Sequence, residues 1–175
     1  GASVAICEGL RYIVPDIQEV KPTAALMVPL LVETIYKKIN ESIKKSHKQQ
    51  IVGSMIYLTN LLKSVGIDAK RKVFKEIYDN LGGNLRIIVT AAAPMDKKIG
   101  EWFEDIGISF IQGYGLTETA PIAALTPEYK PMVGSVGKAV VQADIKVLNP
   151  DKNGEGEIMI KSPTLMLGYY ENEEE

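Results

Sequence analysis

The stretch Gln112-Gly113-Tyr114-Gly115-Leu116-Thr117-Glu118-Thr119 decides how the rest of the chain is interpreted. It follows a short apolar run, Ile108 to Ile111, that predicts a buried strand. The glycines on either side of Tyr114 let the backbone approach a ligand closely, and the ring offers a flat face for a planar group. Thr117 can hydrogen-bond a phosphate oxygen, and Glu118 can help to hold Mg²⁺, which proteins often share with substrate phosphates. The octapeptide therefore predicts a nucleotide site, and the competing interpretation is a glycine-rich surface turn with a packed tyrosine.

Composition narrows the class of protein. The chain has 175 residues, a net charge of −2 and a hydrophobic fraction of 46%. This length allows one domain or slightly more, and scattered lysines without a net positive charge argue against a nucleic-acid partner. Cys7 is the only cysteine, so no internal disulfide can form, and a reducing compartment such as the cytoplasm is expected. No apolar run approaches the roughly 20 residues that span a bilayer.

The first part of the chain alternates predicted strands and helices. Runs at Val4–Cys7, Thr23–Val28 and Leu85–Val89 predict strands. A helix from about Asp96 to Ile106 has apolar residues at i, i+3, i+4 and i+7 and leads into the strand at Ile108–Ile111. This order predicts a βαβ unit with parallel strands and a right-handed crossover. The fold class is therefore α/β, with a partly parallel sheet and flanking helices.

A helical stretch over about 45–81 interrupts this alternation. A helix over Ile51–Val65 carries an apolar stripe, which we predict to be buried, at Ile51, Met55, Leu58, Leu62 and Val65. A second helix, capped by Asp68, is predicted to bury Val73, Phe74, Ile77, Tyr78 and Leu81. A basic, helix-rich insertion is compatible with resting on a membrane surface, but its apolar periodicity is too weak to predict this. The expected location is the cytoplasm, with membrane association left open.

The predicted parallel strands place two loops on one edge. Thr90-Ala91-Ala92-Ala93 follows one strand and Gly113-Tyr114-Gly115 ends the next, and ligands bind outside the carboxyl edge of open α/β sheets. Small side chains at 91–93 leave room for a flat ligand. An ordinary strand-to-helix turn explains the first segment equally well.

The chain changes character after the octapeptide. Residues 143–148 and 157–161 alternate polar and apolar, with Ala143, Ile145, Val147, Ile158 and Ile160 predicted to face inward. A turn-rich loop joins them, so a small antiparallel β-subdomain is expected. The predicted organisation is an α/β subdomain over 1–130 and the beginning of the β-subdomain over 131–175.

The octapeptide resembles the signature of the adenylate-forming superfamily, which includes acyl-CoA synthetases. Lys21-Pro22-Thr23, Thr90–Met95, Gly134–Gly137, Gly156-Glu157-Ile158 and Gly168-Tyr169-Tyr170 resemble further family segments in the same order. The resemblance covers nearly the whole chain. The helical stretch, which ends at Leu81-Gly82-Gly83, is similar to the insertion of long-chain fatty acid–CoA ligases.

The resemblance implies a two-step reaction in which ATP and a fatty acid give an acyl-adenylate, and CoA then forms the thioester. It implies that Tyr114 stacks on adenine, that Thr117 contacts the α-phosphate and that Glu118 binds Mg²⁺, which makes Thr117 and Glu118 the expected catalytic residues. The remaining residues expected to bind ATP or AMP are Ala92, Ala93, Pro94, Gln112, Gly113 and Gly115.

The resemblance also limits the catalytic activity that we expect from these 175 residues alone. The family's phosphate loop, ribose-binding aspartate and catalytic lysine are expected outside this chain, and Ala91 stands where the family has glycine. We therefore predict that the 175 residues alone do not catalyse the reaction. An aryl- or short-chain acyl-CoA ligase and a non-catalytic nucleotide-binding domain are the alternatives. The sequence gives neither the acyl chain length nor the oligomeric state.

Overall fold

A computed structural model describes residues 1–9, 11–129 and 131–172. The chain divides into two compact units, the first over Gly1–Phe110 and the second beginning at Ile111. Strand β3 (Ser109–Tyr114) begins in the first unit and ends in the second. The fold is mixed α/β, as the sequence predicts, and a small antiparallel sheet follows it.

The first unit is built on parallel strands. Strands β1 (Ala24–Met27) and β2 (Ile87–Thr90) pair in parallel over their full lengths. Strand β2 also neighbours β3, and the Ser109 amide donates a 2.8 Å hydrogen bond to the Arg86 carbonyl. These strands confirm the predicted runs, whereas the strand predicted at Val4–Cys7 is wrong. That segment is exposed and pairs with no strand in the part of the chain that the structure describes.

Among the described residues of the first unit there are six helices: α1 (Ile13–Val20), α2 (Pro29–Lys45), α3 (Gln49–Ser64), α4 (Lys70–Val73), α5 (Lys75–Asn80) and α6 (Lys97–Ile106). Helix α6 forms where it was predicted because both of its ends are specified. The Asp96 side chain accepts a 2.9 Å hydrogen bond from the Lys98 amide, and Gly107 ends the helix at a φ of 93°.

Helix α1 has a proline in its first turn. The helix begins at Ile13, so Pro15 is its third residue. Proline fits there because first-turn amides have no partner within the helix. The left-handed Lys21, with a φ of 50°, ends the helix before Pro22.

The core of the first unit lies between α2, α6 and the strands. Phe103 of α6 and Phe110 of β3 are fully buried, and their rings stack with centroids 6.2 Å apart. Other large side chains that are almost fully buried are Val32, Ile35, Leu81, Leu85, Ile88, Ile106 and Ile108.

Helix α3 presents its apolar stripe to solvent, so the predicted burial of that stripe is wrong. Leu58 is 55% exposed and Val65 is 69% exposed, and Ile51, Met55 and Leu62 are also exposed. The residues that face inward lie on an adjoining side of the helix, where Thr59 is buried. Within the described part of the chain, no helix is long and apolar enough to cross a bilayer.

The helix predicted after Asp68 is present but broken. The Asp68 carboxylate accepts a 3.1 Å hydrogen bond from the Lys70 amide, but the N-cap residue is Ala69 and no side chain caps the helix, so the predicted cap at Asp68 is wrong. The helical hydrogen-bonding pattern is interrupted at Phe74, which separates α4 from α5. Phe74, Ile77, Tyr78 and Leu81 are buried as predicted, but Val73 is 37% exposed because it precedes the break and lies outside the packed side.

The second unit consists of antiparallel strands. The end of β3 pairs with β4 (Ala124–Leu125), which pairs with β5 (Lys138–Ala139). Strands β6 (Asp144–Leu148) and β7 (Glu157–Lys161) form the predicted hairpin.

The inward face of this hairpin is only partly as predicted. The paired residues Ile145 and Ile160 are half-buried. Val147 and Ile158, which also pair with each other, are each 46% exposed. Alternation identifies the apolar face of a hairpin but does not show how much of that face is covered.

Candidate functional site

The octapeptide forms the end of a strand and the turn that follows it. Residues 112–114 complete β3, and Thr117–Thr119 form a short 3₁₀ turn. The chain then returns antiparallel to β3, with Tyr114 opposite Ala124 and the Ala123 amide donating a 2.8 Å hydrogen bond to the Tyr114 carbonyl. The loop between β3 and β4 is thereby closed at its base by backbone hydrogen bonds.

Tyr114 is half-buried at the last position of β3. The residue is therefore not fully enclosed in the core. Stacking on a planar ligand requires that the exposed part include a face of the ring.

Gln112 has a structural role next to its predicted ligand role. Its side-chain oxygen accepts a 2.7 Å hydrogen bond from the Gly134 amide, and its main-chain carbonyl accepts one of 2.9 Å from the Thr126 amide. Gln112 thus ties β3 to the loop before β5. A role of Gln112 in binding ATP stays a prediction.

Gly115 is required by the chain itself. A Cβ atom at this position would lie 1.8 Å from the carbonyl oxygen of Pro121, inside the van der Waals contact distance. Gly137 is similar, with a φ of 81° and a Cβ position only 2.2 Å from the Leu125 carbonyl oxygen. Sequence reasoning attributed the missing side chain at Gly115 to a ligand, whereas the observed close approach is to the returning backbone.

The buried Thr119 stabilises the 3₁₀ turn. Its hydroxyl oxygen accepts a 3.0 Å hydrogen bond from the Leu116 amide and lies 2.9 Å from the Leu116 carbonyl, to which it can donate. The Thr119 amide also donates to the Leu116 carbonyl. The turn is closed from both directions, so the conformation of the preceding residues Thr117 and Glu118 is restricted.

A later segment of the chain also holds this turn. The Thr164 hydroxyl donates a 2.8 Å hydrogen bond to the Thr119 carbonyl, and the Met166 amide donates one of 2.9 Å to the Glu118 carbonyl. The Tyr169 hydroxyl donates a 2.6 Å hydrogen bond to the Glu118 carboxylate. Tyr169 was missed as a site residue, because nothing in the spacing of the sequence connects it with Glu118.

Glu118 is an anion in this arrangement. The hydrogen bond from Tyr169 lowers the pKa of the Glu118 carboxyl below its ordinary value, because that bond stabilises the charged form. The residue is half-exposed. Thr117, directly before it, is exposed, and its hydroxyl makes no hydrogen bond within the described residues. A carboxylate and an unengaged hydroxyl therefore lie side by side on a fixed turn.

Glu118 could hold a metal ion only if a bound ligand supplied further donor atoms to the same ion. Among the described residues, no group of three or more His, Cys, Asp or Glu side chains is arranged to hold a metal. Glu118 alone supplies one ionised carboxylate. Mg²⁺ is commonly bound in this way, through one or two carboxylates with the remaining positions taken by water and substrate phosphates.

The small-residue segment after β2 lies in the first unit. Ala92, Ala93 and Pro94 are exposed, and Ala92 has a φ of 77°, a conformation that favours glycine. Directly before them, the hydroxyl of the buried Thr90 has no hydrogen-bond partner in the described chain. That this segment shares one rim with Tyr114 stays a prediction.

The chain is similar to known proteins over nearly its whole length. The model of a family described as AMP-binding enzyme matches residues 1–170. Long chain acyl-CoA synthetase 1 of Arabidopsis thaliana is 32% identical over 194 residues, which cover 99% of this chain and 29% of that protein. This chain therefore spans about 29% of the length of that relative.

Solved structures show the same fold. An anthranilate CoA ligase in complex with anthranoyl-AMP superposes with a TM-score of 0.61 at 20% identity, covering 94% of this chain and 26% of the ligase. A benzoate CoA ligase from Burkholderia xenovorans gives a TM-score of 0.59 at 21% identity, covering 97% of this chain and 29% of the ligase.

Proposed function

This chain belongs to the family of AMP-binding enzymes, and on that premise we propose that it is part of an AMP-forming fatty acid–CoA ligase. In the first step a carboxylate oxygen of the fatty acid attacks the α-phosphorus of ATP, and the bond to the β-phosphate breaks to release pyrophosphate. In the second step the CoA sulfur loses its proton and attacks the acyl carbon. The acyl–oxygen bond breaks, so that AMP leaves and the thioester forms.

The observation that carries this proposal is the turn with Thr117 and Glu118 directly after Tyr114. The ring of the half-buried Tyr114 stacks on adenine, and the Thr117 hydroxyl, which is unengaged within the described residues, donates to an α-phosphate oxygen. Glu118 is held ionised and holds Mg²⁺, which when bound supplies positive charge to the phosphate oxygens. Fixed donors and charges of this kind stabilise the negative charge that develops on those oxygens during attack.

The other predicted residues complete the nucleotide site in this proposal. Ala92, Ala93 and Pro94 form a wall of small side chains beside the adenine or the acyl group. Gly113 and Gly115 give the strand and turn the shape that presents Tyr114, and Gln112 holds that strand in place. We place the protein in the cytoplasm or at a membrane facing it, since Cys7 is exposed and unpaired.

A fatty acid is the substrate class that we favour. Helices α3 to α5 form the helical stretch that resembles the insertion of long-chain ligases, and the Arabidopsis relative is named a long chain acyl-CoA synthetase. The 175 residues alone are expected to be inactive, because they span about 29% of that relative and the expected phosphate loop and catalytic lysine lie elsewhere.

The test is ATP–pyrophosphate exchange by the intact protein that contains this chain, with a panel of fatty, short-chain and aryl acids. We expect exchange with fatty acids, and we expect Glu118→Ala to lower its rate by about a hundredfold or more. Glu128→Ala is the matched control, because Glu128 is an exposed carboxylate in the same unit and its side chain makes no hydrogen bond to any described residue.

The alternatives give different results. Exchange with aryl or short-chain acids in preference to fatty acids would identify another adenylate-forming ligase. Binding of ATP without exchange for any acid would favour a non-catalytic nucleotide-binding domain. Equal rates for Glu118→Ala and Glu128→Ala would remove the assigned role of Glu118.

A further inference from the structure

The turn between α6 and β3 is closed by its own backbone. The Gly107 amide donates a 3.0 Å hydrogen bond to the Glu104 carbonyl, and the Ile108 amide donates one of 2.9 Å to the Phe103 carbonyl. With Gly107 in the left-handed conformation, these two bonds form a complete Schellman motif, which is a common way for a helix to end. Helix α6 therefore needs no side chain from another element in order to end at Ile106.

Two buried side chains of the helical stretch nevertheless bond to this helix end. Lys70 of α4 donates a 2.9 Å hydrogen bond from Nζ to the Glu104 carbonyl. Tyr78 of α5 donates one of 3.2 Å from its hydroxyl to the Ile106 carbonyl. The last turn of α6 is thus held by α4 and α5 in addition to its own backbone bonds.

Helix α3 and the close packing at Gly107 complete this contact. Asn60 of α3 donates a 2.8 Å hydrogen bond to the Asp105 carboxylate. A Cβ atom at Gly107 would lie 2.9 Å from the Cβ of Lys70 and 3.0 Å from the Tyr78 hydroxyl, closer than van der Waals contact allows. All three helices of the stretch therefore meet the same turn, and they meet it tightly.

Lys70 is a costly residue to use only for packing. The residue is 4% exposed, and its ammonium group, which carries three donors, makes one hydrogen bond within the described residues. Taking a charged group out of water is unfavourable unless it is well paired. Since the Schellman motif already ends α6, the bond from Lys70 fixes where the helix end lies relative to the helical stretch.

The anchored helix end is also bonded to β3. The Glu104 carboxylate accepts a hydrogen bond from the Phe110 amide, and the rings of Phe103 and Phe110 stack. Phe110 lies two residues before Gln112, at which the octapeptide begins, and β3 continues without a break to Tyr114. A displacement of the helix end would therefore act on the strand that carries Tyr114.

We propose that Lys70 is a positioning residue for the nucleotide site and that the helical stretch acts on this site through α6 and β3. The inference rests on the proposed function, in which Tyr114 stacks on adenine. Lys70 holds the last turn of α6, Glu104 of that turn holds the Phe110 amide, and β3 then presents Tyr114. Contiguous contacts of this kind can change a binding constant severalfold.

The test combines two measurements on the intact protein: ATP affinity by calorimetry, and the KM for ATP and kcat in pyrophosphate exchange. Lys70→Met keeps an unbranched side chain and removes the charge and the hydrogen bond. We expect ATP affinity to fall and the KM for ATP to rise by about fivefold. The value of kcat should change little, because the later segment of the chain holds the turn with Thr117 and Glu118 separately. A merely structural role would instead reduce the folded fraction, which lowers kcat and leaves KM unchanged.

Lys72→Met is the matched control. Lys72 is an exposed lysine of the same helix, and its side chain makes no hydrogen bond or salt bridge to any described residue, so the KM for ATP should not change. Tyr78→Phe removes the second buried hydrogen bond to the helix end and should raise the KM in the same direction as Lys70→Met. This variant decides the question if Lys70→Met does not fold.

The results separate this inference from the proposed function. Unchanged ATP affinity in the folded variants, or a lower kcat with an unchanged KM, would overturn the inference and leave the proposed function standing. ATP binding by the wild type without exchange for any acid would contradict the proposed function, and calorimetry of the variants would still decide the role of Lys70. Absence of ATP binding by the wild type would overturn both.

Discussion

The Tyr169 hydroxyl and the Glu118 carboxylate, 51 residues apart in the chain, share a 2.6 Å hydrogen bond. This bond is the main cause of the lowered pKa of Glu118. In Tyr169→Phe the bond is lost, so the pKa of Glu118 rises and its carboxyl is protonated at a higher pH. We expect the acidic limb of the pH profile of pyrophosphate exchange to move to higher pH, with little change at neutral pH.

Tyr170→Phe is the control for that variant, because Tyr170 is 91% exposed. An acidic limb that stays in place, or that moves to lower pH in Tyr169→Phe, would contradict the assignment of Tyr169 as a positioning residue for Glu118.

The second prediction concerns the crowding at Gly115. A Cβ atom there would overlap the Pro121 carbonyl oxygen, so Gly115→Ala must displace the loop between β3 and β4. We expect a loss of roughly 3 kcal/mol or more in unfolding free energy and a large loss of exchange activity. Gly53→Ala in α3, where a Cβ meets nothing within 4 Å, should instead stabilise by about 1 kcal/mol. Urea unfolding of both variants measures the contrast, and similar values for the two would contradict it.

The third prediction uses the backbone of Ala92. Its φ of 77° is strained for alanine and ordinary for glycine. Ala92→Gly should therefore raise the unfolding free energy by roughly 1 kcal/mol. Ala93→Gly is the control and should be neutral or slightly destabilising, because no positive φ is recorded for Ala93. Equal effects of the two substitutions in urea unfolding would show that the backbone at Ala92 is not strained.

The fourth prediction concerns pH and Glu104. Burial raises the pKa of Glu104 above its ordinary 4.5, and its carboxylate accepts a hydrogen bond from the Phe110 amide. Between pH 4.5 and the raised pKa, the folded state holds the proton more tightly than the unfolded state. Stability therefore falls as pH rises through that window, and it is lower above it.

Glu104→Gln keeps an acceptor for the Phe110 amide and removes the titration. We expect the variant to gain stability relative to the wild type as pH rises from 4.5 to neutral. Urea midpoints at both pH values measure this gain. A gain that is the same at both pH values, or one that shrinks toward neutral pH, would contradict the role given to burial.

Local signals predicted the elements whose ends the sequence specifies. Helix α6 has a side-chain cap at Asp96, a glycine at position 107 and apolar residues at the spacing of a single helix. Each of these signals depends only on residues that are near in sequence. The pairing of β6 with β7 was also predicted from local signals, namely alternating polar and apolar residues on either side of a turn-rich loop.

The misses arose where the outcome depends on distant parts of the chain. The apolar period of α3 was interpreted correctly as a stripe, but a period does not show whether another element covers it. Tyr169 was missed because contacts across 51 residues leave no trace in spacing. The resemblance drew attention to Ala91, whereas the positive φ falls on Ala92, because backbone angles depend on how the whole turn closes.

The turn that carries Glu118 depends on Thr164, Met166 and Tyr169, which donate three hydrogen bonds to it from far along the chain. Transplanting the eight residues 112–119 into another protein would therefore transfer the sequence of the turn without the hydrogen bonds that hold it. A graft that keeps the orientation of the carboxylate must bring the later segment with it. We therefore expect mutations in 164–169 to alter the proposed nucleotide site, despite their distance along the chain.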